Sequence, residues 1–306
     1  MAPFGLRGLA PGWRTRFAPA PTGYLHLGHV VNAIYVWGVA RANDGRVALR
    51  IEDHDRSRCR VEYERALLDD LDWLGFVPDE GTTAEFRADT TNFRQSDNEW
   101  RYAAAITALE LRGLVYVCRC SRADIAWLVP DQPNEEMRYP GTCRDAALPP
   151  DASLQRRLKL GGARERFFDL LLGPQEQQPR TQCGDLLLRD RLGQWTYQFA
   201  VTVDDLEQDI DVVIRGEDLL PSTGRQRALA RLLGRRRSPH FLHHPLVLKP
   251  NGEKLSKSAG DSGVRELRDA GRTPAEVLGE AAHLVGLIDR SRPLAQAEIP
   301  ELFRQG

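Results

Sequence analysis

The chain has 306 residues, of which 42% are hydrophobic, and its 42 basic side chains nearly balance 43 acidic ones. This length suggests about two structural units, each large enough to bury its own core. No stretch approaches the roughly 18 uninterrupted apolar residues that a membrane span requires, and residues 1–14 lack the apolar segment of a secretory signal. We therefore expect a globular, cytoplasmic protein that does not bind a membrane.

The cysteine and lysine counts bear on the chemistry. Five cysteines, an odd number in a chain without an export signal, favour free thiols or a metal site over a disulfide framework. Only four of the basic residues are lysines, and three of these fall between residues 249 and 257. Because arginine is the usual cation of this chain, the concentration indicates a local need for flexible ammonium groups.

The predicted elements of the first half form a βαβ unit. A short strand at 14–19, a turn at 21–23, a helix at 27–41 and a strand at 46–51 follow one another. Helical periodicity resumes at 62–73 and at 98–111. Residues 118–182 hold three cysteines, several prolines and glycines and little periodicity, which indicates an insertion.

The sheet is predicted to resume after this insertion. Strand-like segments occur at 185–189, 199–203, 211–214 and 241–248, an arginine-rich helix spans 223–233, and a helical tail starts near residue 274. This order predicts an α/β domain with an interrupted parallel sheet.

One motif lies at the junction between the first strand and the first helix. The sequence has no Walker A loop and no G-x-G-x-x-G, but it has His26-Leu27-Gly28-His29 at this junction. Unpaired N–H groups and the dipole of a helix N-terminus favour anions, and Gly28 permits close approach. The histidines predict a triphosphate site, with a structural role as the alternative. A metal is disfavoured, since helical metal-binding histidines are usually four residues apart.

A second motif, Lys254-Leu255-Ser256-Lys257-Ser258, follows a predicted strand and turn. Two ammonium groups alternating with two hydroxyls can neutralise and hydrogen-bond a pyrophosphate leaving group. Each motif alone is weak evidence. Together, on the two halves of an interrupted α/β domain, they predict an ATP site.

These motifs resemble the HIGH and KMSKS signatures of class I aminoacyl-tRNA synthetases. Residues 16–23 (RFAPAPTG), 50–55 (RIEDHD), 197–205 and 214–219 are further similar to segments of the glutamyl-tRNA synthetases. The resemblance implies a Rossmann-type, doubly wound α/β fold with a zinc-containing insertion and a short helical C-terminal part. It implies catalytic roles for His26, His29, Lys254 and Lys257. It implies ATP contacts from His26, Gly28, His29, Lys254, Ser256 and Lys257.

The same resemblance places L-glutamate on Arg16, Glu52, Tyr197 and Arg215. Two guanidinium groups, one carboxylate and one phenol complement the two carboxylates and the ammonium of glutamate. We assign the α-ammonium to Glu52 and leave open which arginine takes which carboxylate. Ala20 replaces the usual serine of the family, so any hydroxyl contact must come from another position.

The cysteines of the insertion predict a metal site, with buried free thiols as the alternative. They are Cys118, Cys120 and Cys143, and no histidine lies between residues 54 and 240, so a tetrahedral site needs a phenolate, carboxylate or water as its fourth ligand. Residues 139–143 (YPGTC) resemble the zinc-binding stretch of the short glutamyl-queuosine branch of the family, which implies that Tyr139 is that ligand. We expect packing roles for His240, His243 and His244.

Only 48 residues follow Ser258, which leaves no room for the helical anticodon-binding region of full-length glutamyl-tRNA synthetases. The resemblance to the short branch implies a monomer that activates L-glutamate with ATP and Mg²⁺ without tRNA. The glutamyl group then passes to the queuosine base in the anticodon of tRNA(Asp). Two alternatives are a minimal glutamyl-tRNA synthetase that charges the tRNA 3′ end and a non-catalytic tRNA-binding paralogue. The intact motifs argue against the second.

The expected divisions are 1–105 and 185–248 for the two halves of the catalytic domain, 106–184 for the zinc insertion, and 249–306 for the KLSKS loop and helical tail. Six arginines between residues 225 and 237 follow one of the glutamate-site segments. We expect them to contact tRNA phosphates beside the pocket, with a solvated helix face as the alternative.

Overall fold

The main sheet takes strands from both halves of the chain. In the computed structural model, which describes residues 6, 9–129, 137–149, 151, 153–247 and 263–304, β1 (Arg14–Phe17) and β2 (Arg46–Leu49) are parallel and joined by α1 (Leu27–Ala42). The strands β8 (Val212–Gly216) and β9 (His240–His244) are also parallel. The β1–β2 pair forms no ladder with β8 but lies beside it, where the Asp211 N–H donates to the Arg14 carbonyl at 2.9 Å, and we call these strands together the main sheet. The parallel α/β organisation expected from the sequence is confirmed.

The remaining strands do not follow the expected divisions. β5 (Glu165–Asp169) pairs in parallel with β9, and β6 (Gly173–Gln177) pairs antiparallel with β5, so both extend the main sheet. A separate antiparallel sheet contains β3 (Val115–Cys118), β4 (Gln155–Leu158) and β7 (Leu186–Arg189). Strand pairing therefore crosses the expected boundary at residue 184 in both directions, because partners are chosen by packing and not by order along the chain.

The predicted helices of the first half, the arginine-rich helix and the helix of the tail lie where the sequence predicts them. They include α2 (Val61–Leu74), α4 (Glu99–Leu111), α8 (Thr223–Leu232) and α10 (Pro274–Leu284). Shorter helices are α3 (Thr83–Arg87), α5 (Arg122–Leu128), α6 (Pro179–Cys183) and α9 (Val264–Asp269). None of the helices in the described ranges combines the length and apolar character that a membrane span needs.

One predicted strand, at 199–203, is wrong. The chain there forms the helix α7 (Tyr197–Glu207), and residues 199–205 are all buried. A short run of apolar and β-branched residues fits a buried strand or a buried helix equally well. The run at 199–203 is apolar because several faces of the helix are buried, and not because alternate residues of a strand face the core.

Helix α1 is enclosed by the core, and this fixes the position of its N-terminus. Ten of its residues are buried, on every face of the helix. A Cβ at Gly38 would lie 2.2 Å from the ring of Phe303, which belongs to the closing 3-10 helix Gln296–Phe303. Glycine is needed here because that ring contacts the helix backbone.

Candidate active site

One pocket gathers those predicted glutamate-binding and ATP-binding residues that the structure describes. Its volume is about 260 Å³, and it lies where β1, β2, β8 and β9 end, at the carboxyl-terminal edge of the sheet. Ligands of open α/β sheets bind at this edge. Lys254, Ser256 and Lys257 lie outside the described residues. The predicted residues that line the pocket are Arg16, His26, Gly28, His29, Glu52, Tyr197 and Arg215.

The two histidines cap the first turn of α1 reciprocally. The Gly28 N–H donates to His26 Nδ1 at 3.1 Å, and the His26 N–H donates to His29 Nδ1 at 3.1 Å. Since each Nδ1 accepts a hydrogen bond, the hydrogen of each imidazole in its neutral form belongs on Nε2. Both rings therefore offer an N–H donor through Nε2, which suits phosphate oxygens and does not suit a metal ion.

A buried ion-pair network lies beneath the pocket. Arg50 donates to Asp205 at 2.8 Å and to Glu52 at 3.0 Å, and Arg16 Nε donates to Asp205 Oδ1 at 3.0 Å. Burial alone would raise the pKa of Asp205, but the two guanidinium groups lower it to about 2. The charge of Arg16 is thus balanced within the protein.

Arg215 is the contrasting case, because its buried guanidinium meets only neutral partners. It donates to His243 Nε2 at 3.1 Å, to Gln226 Oε1 at 2.7 Å and to Thr223 Oγ1 at 2.9 Å. No carboxylate of the described residues lies within ion-pair distance of it. Burial lowers the pKa of Arg215. The pocket therefore contains a positive charge that an anionic ligand group would balance.

The orientation of Arg215 depends on two residues that the sequence analysis did not select. His243 Nδ1 donates to Asp169 Oδ2 at 2.6 Å, which leaves its Nε2 as the acceptor for Arg215. Asp169 also accepts the N–H groups of Leu171 and Leu172 at 3.0 Å each. His243 was expected only to pack. No local motif marks this contact, because 74 residues separate its partners.

Tyr197 begins α7 and turns its phenol into the pocket. Burial, followed by the charge of Glu52, raises the pKa of Tyr197 to about 12. The hydroxyl is therefore protonated at neutral pH and can donate a hydrogen bond to a carboxylate ligand.

The cysteines of the predicted metal site meet in a second cluster. The sulfurs of Cys118, Cys120 and Cys143 lie within 4.8 Å of one another. The sulfurs of Cys120 and Cys143 are 3.5 Å apart, and the Tyr139 hydroxyl is 3.4 Å from the Cys118 sulfur. Tetrahedral zinc with Zn–S bonds of about 2.3 Å would place its ligand atoms about 3.5–3.8 Å apart. The donor set and its spacing fit zinc.

The charge of Arg157 also fits a metal–thiolate centre. This buried guanidinium stacks 3.9 Å above the Tyr139 ring and donates to the Cys118 sulfur at 3.4 Å. Its other partners in the described ranges are the Asp185 backbone carbonyl and the Gln155 side chain. A centre with three thiolates, a phenolate and Zn²⁺ would carry net negative charge and would balance this cation.

The arginine run at 225–237 does not form one patch beside the pocket. Arg225 is buried, and Arg235 donates to the backbone carbonyls of Asp205 and Ile210. Ile210 precedes β8, whose five residues span about 13 Å. Arg235 and its neighbours therefore lie at the amino-terminal edge of the sheet, and the prediction that they lie beside the pocket is wrong.

Known proteins are similar to this chain in sequence and in fold. Residues 13–292 match the family model of tRNA synthetases class I (E and Q), catalytic domain. The Glutamyl-Q tRNA(Asp) synthetase of Symbiobacterium thermophilum is 39% identical over 300 residues, covering 94% of this chain and 91% of that protein. The enzyme of the same name from Nitratidesulfovibrio vulgaris is 37% identical over 291 residues, covering 92% and 89%.

A solved glutamate tRNA ligase from Elizabethkingia meningosepticum, in complex with its amino acid, is similar with a TM-score of 0.76 and 26% identity. The likeness covers 95% of this chain. The chain spans 65% of the length of that ligase.

The ion-pair network predicts a large, pH-dependent loss of stability on Asp205→Asn. The substitution leaves Arg16 and Arg50 buried with a missing counter-charge, so the free energy of unfolding at pH 7 should fall by about 3–5 kcal/mol. Since the pKa of Asp205 is lowered to about 2, its stabilisation is present above the ordinary value near pH 3.9 and lost as pH falls towards 2. Urea unfolding at pH 7, 5 and 3 measures the difference in the free energy of unfolding between wild type and variant, which should narrow as the pH falls.

The matched control is Glu301→Gln, which breaks an exposed pair with Arg304. It should cost less than about 1 kcal/mol. An Asp205→Asn protein that is as stable as this control at pH 7 would contradict the role of the network.

Proposed function

The chain belongs to the class I tRNA synthetase family for glutamate and glutamine, and from this membership we propose that it activates L-glutamate with ATP and glutamylates the queuosine base of tRNA(Asp). The membership confirms the expected class I fold and the ligase class. The observation that carries the proposal is the single pocket that joins the unbalanced charge of Arg215 to the Nε2 donors of His26 and His29. The printed names of the relatives support queuosine as the acceptor.

We assign the γ-carboxylate of glutamate to Arg215. The α-carboxylate loses its charge when it becomes an anhydride, so a strong ion pair to a buried cation would stabilise the ground state over the transition state. The γ-carboxylate keeps its charge throughout and suits the fixed, unbalanced guanidinium. Arg16, already paired with Asp205, faces the α-carboxylate, and Glu52 receives the α-ammonium. Tyr197 donates to a substrate carboxylate.

In the activation step an α-carboxylate oxygen attacks the α-phosphorus of ATP, and the bond between that phosphorus and the bridging oxygen breaks to release pyrophosphate. His26 and His29 donate through Nε2 to phosphate oxygens that gain charge in the transition state. Gly28 lets the nucleotide approach the helix, and Mg²⁺ accompanies ATP. Lys254, Ser256 and Lys257 are proposed to bind the departing pyrophosphate. A hydroxyl of queuosine then attacks the glutamyl carbonyl carbon, AMP leaves, and the hydroxyl proton passes to solvent.

The acceptor can be tested with tRNA(Asp) that is oxidised by periodate at its 3′ ribose while it still lacks queuosine. Queuosine is introduced into the tRNA after the oxidation. We expect tRNA(Asp) with queuosine to accept [¹⁴C]glutamate after this treatment, because the reacting hydroxyl is on the modified base. His29→Ala should reduce transfer and tRNA-independent pyrophosphate exchange by about 10²-fold or more, while the melting temperature falls by only a few degrees through loss of one helix-cap hydrogen bond.

Two outcomes would contradict the proposal. Charging that requires an intact 3′ ribose, or equal charging of unmodified tRNA(Glu), would favour a minimal glutamyl-tRNA synthetase. Absence of glutamate-dependent exchange in the folded wild-type protein would favour a non-catalytic paralogue.

The Asp169–His243 pair predicts a selective effect on glutamate binding. His243→Phe removes the acceptor that fixes Arg215, and loss of a hydrogen bond to a charged group costs about 1.5–3 kcal/mol, or roughly 10–100-fold. We expect the KM for glutamate in pyrophosphate exchange to rise by this factor, with a smaller change in kcat. His243→Gln, which can accept from Arg215 and donate to Asp169, should recover part of the affinity. A rise of the KM for ATP by the same factor would indicate general damage to the fold instead.

We further infer that Cys118, Cys120, Tyr139 and Cys143 hold one structural zinc ion, which would crosslink the insertion. Their buried donor atoms and the neighbouring Arg157 cation support this assignment. The segment that contains Tyr139 is also held by a backbone contact, in which the Tyr139 N–H donates to the Cys183 carbonyl at 3.0 Å. A Cβ at Gly184 would lie 2.0 Å from the Tyr139 carbonyl oxygen, so glycine is needed at this anchor.

The zinc assignment predicts about one zinc ion per purified chain and its loss in Cys143→Ser. Arg157→Gln should weaken zinc retention against a chelator by about tenfold or more, because the negative centre loses its buried counter-charge. Arg156→Gln is the matched control, since its side chain bonds the Asp151 carbonyl and not the cluster. Metal-free protein with three titratable thiols in this segment would overturn the assignment.

A further inference from the structure

A second cleft, on the opposite edge of the sheet, is lined by most of the arginine run. We call it the arginine cleft and define it by Glu165, Arg227, Arg231, Arg235, Arg236 and Ser238. Its volume is about 160 Å³. It lies at the amino-terminal ends of β8 and β9, whereas the active site lies at their carboxyl-terminal ends.

The cleft carries excess positive charge, because four guanidinium groups share one carboxylate that is not paired with the active site. Glu165 accepts from Arg231 at 2.6 Å, and its other oxygen is 3.6 Å from Arg227 Nε. Asp205 also lines the cleft, but its carboxylate is paired with arginines of the active site. One carboxylate cannot balance four guanidinium groups, so the cleft attracts anions.

The remaining arginines of the cleft find no acidic partner in the described ranges. Arg235 donates to three backbone carbonyls, those of Asp205, Ile210 and Arg237. Arg236 is exposed, and its guanidinium forms no ion pair with a described acidic residue. Within the described residues neither guanidinium forms an ion pair, and the carboxylates of Asp205, Asp209 and Asp211 act on Arg235 only at longer range.

One donor in the cleft wall lacks an acceptor. Arg227 uses its two terminal nitrogens on the Ser238 hydroxyl and the Arg166 carbonyl. Its Nε is buried and has no hydrogen-bond acceptor among the described residues. A buried donor of this kind costs free energy unless a ligand or water satisfies it. Burial also lowers the pKa of Arg227, in keeping with its incomplete charge balance.

We propose that the arginine cleft binds a compact phosphate-class anion, such as inorganic phosphate or the phosphoryl end of a small molecule. Guanidinium groups match the planar pairs of phosphate oxygens, and Ser238 adds a hydroxyl. At about 160 Å³ the cleft is smaller than the active-site pocket of about 260 Å³, which suits a compact anion. RNA held at the active site would have to cross the sheet to reach this edge, which favours a free anion over an RNA phosphate.

The test is titration of the full chain with inorganic phosphate by calorimetry at constant ionic strength. Arg236→Gln should weaken phosphate binding by about tenfold or more, the effect of losing a charge-assisted hydrogen bond. Arg290→Gln removes the same charge from an exposed arginine that does not line the cleft, and it should stay within about twofold of wild type. His29→Ala should keep the Arg236-dependent phosphate site, because this histidine belongs to the other edge.

Three results would overturn the proposal. Phosphate binding lost in His29→Ala but kept in Arg236→Gln would place the anion in the active site alone. Equal weakening by Arg236→Gln and Arg290→Gln would reduce the effect to net charge. Weakened binding of an anticodon stem-loop to Arg236→Gln, with no phosphate binding to wild type, would make the cleft an RNA contact. Failure of the proposed reaction would appear separately, in pyrophosphate exchange, which Arg236→Gln should leave unchanged.

Discussion

The ion pairs of the fully buried Arg50 guanidinium join the two halves of the sheet domain at the active site. Arg50 follows β2, and its partner Asp205 lies on α7, beyond the insertion. Because an unpaired buried charge is strongly destabilising, α7 must pack where Asp205 can pair with Arg50, independently of the structure of the insertion. Arg16 and Glu52 share the same network, so the pocket is assembled by the contact that also closes the fold.

Two other buried arginines show the complementary principle. Arg215 and Arg157 lack carboxylate partners within the described chain, and each lies beside a group of residues suited to an anionic ligand or centre. The protein thus balances the charge of Arg16 and Arg50 internally, and we assign the other two cations to the proposed substrate site and the proposed metal–thiolate cluster. A buried cation without a carboxylate partner is therefore a better guide to binding chemistry in this fold than a dense run of charges on the sequence.

The arginine run at 225–237 shows why a dense run of charges on the sequence is a weak guide to a binding site. On the sequence it is the densest positive segment, yet the structure divides it among a buried position, backbone carbonyls, Glu165 and solvent. Helix α8 begins beside the active site, where Thr223 and Gln226 hold Arg215, and ends at the opposite edge. One helix therefore contributes residues that hold Arg215 of the active-site pocket and residues that line the arginine cleft, and its residues cannot be assigned to one of the two from spacing alone.

The sequence by itself determined the βαβ start, the histidine pair at a helix N-terminus and the three cysteines that meet in the insertion. These features depend on residues within a few positions of one another, or on donor types with few other uses. Tertiary structure alone decided that residues 199–203 are helical, that β5 joins the main sheet while β7 does not, and that Asp169 orients Arg215 through His243. Each of these depends on which distant segments pack together, because burial and charge pairing across the fold override local pattern.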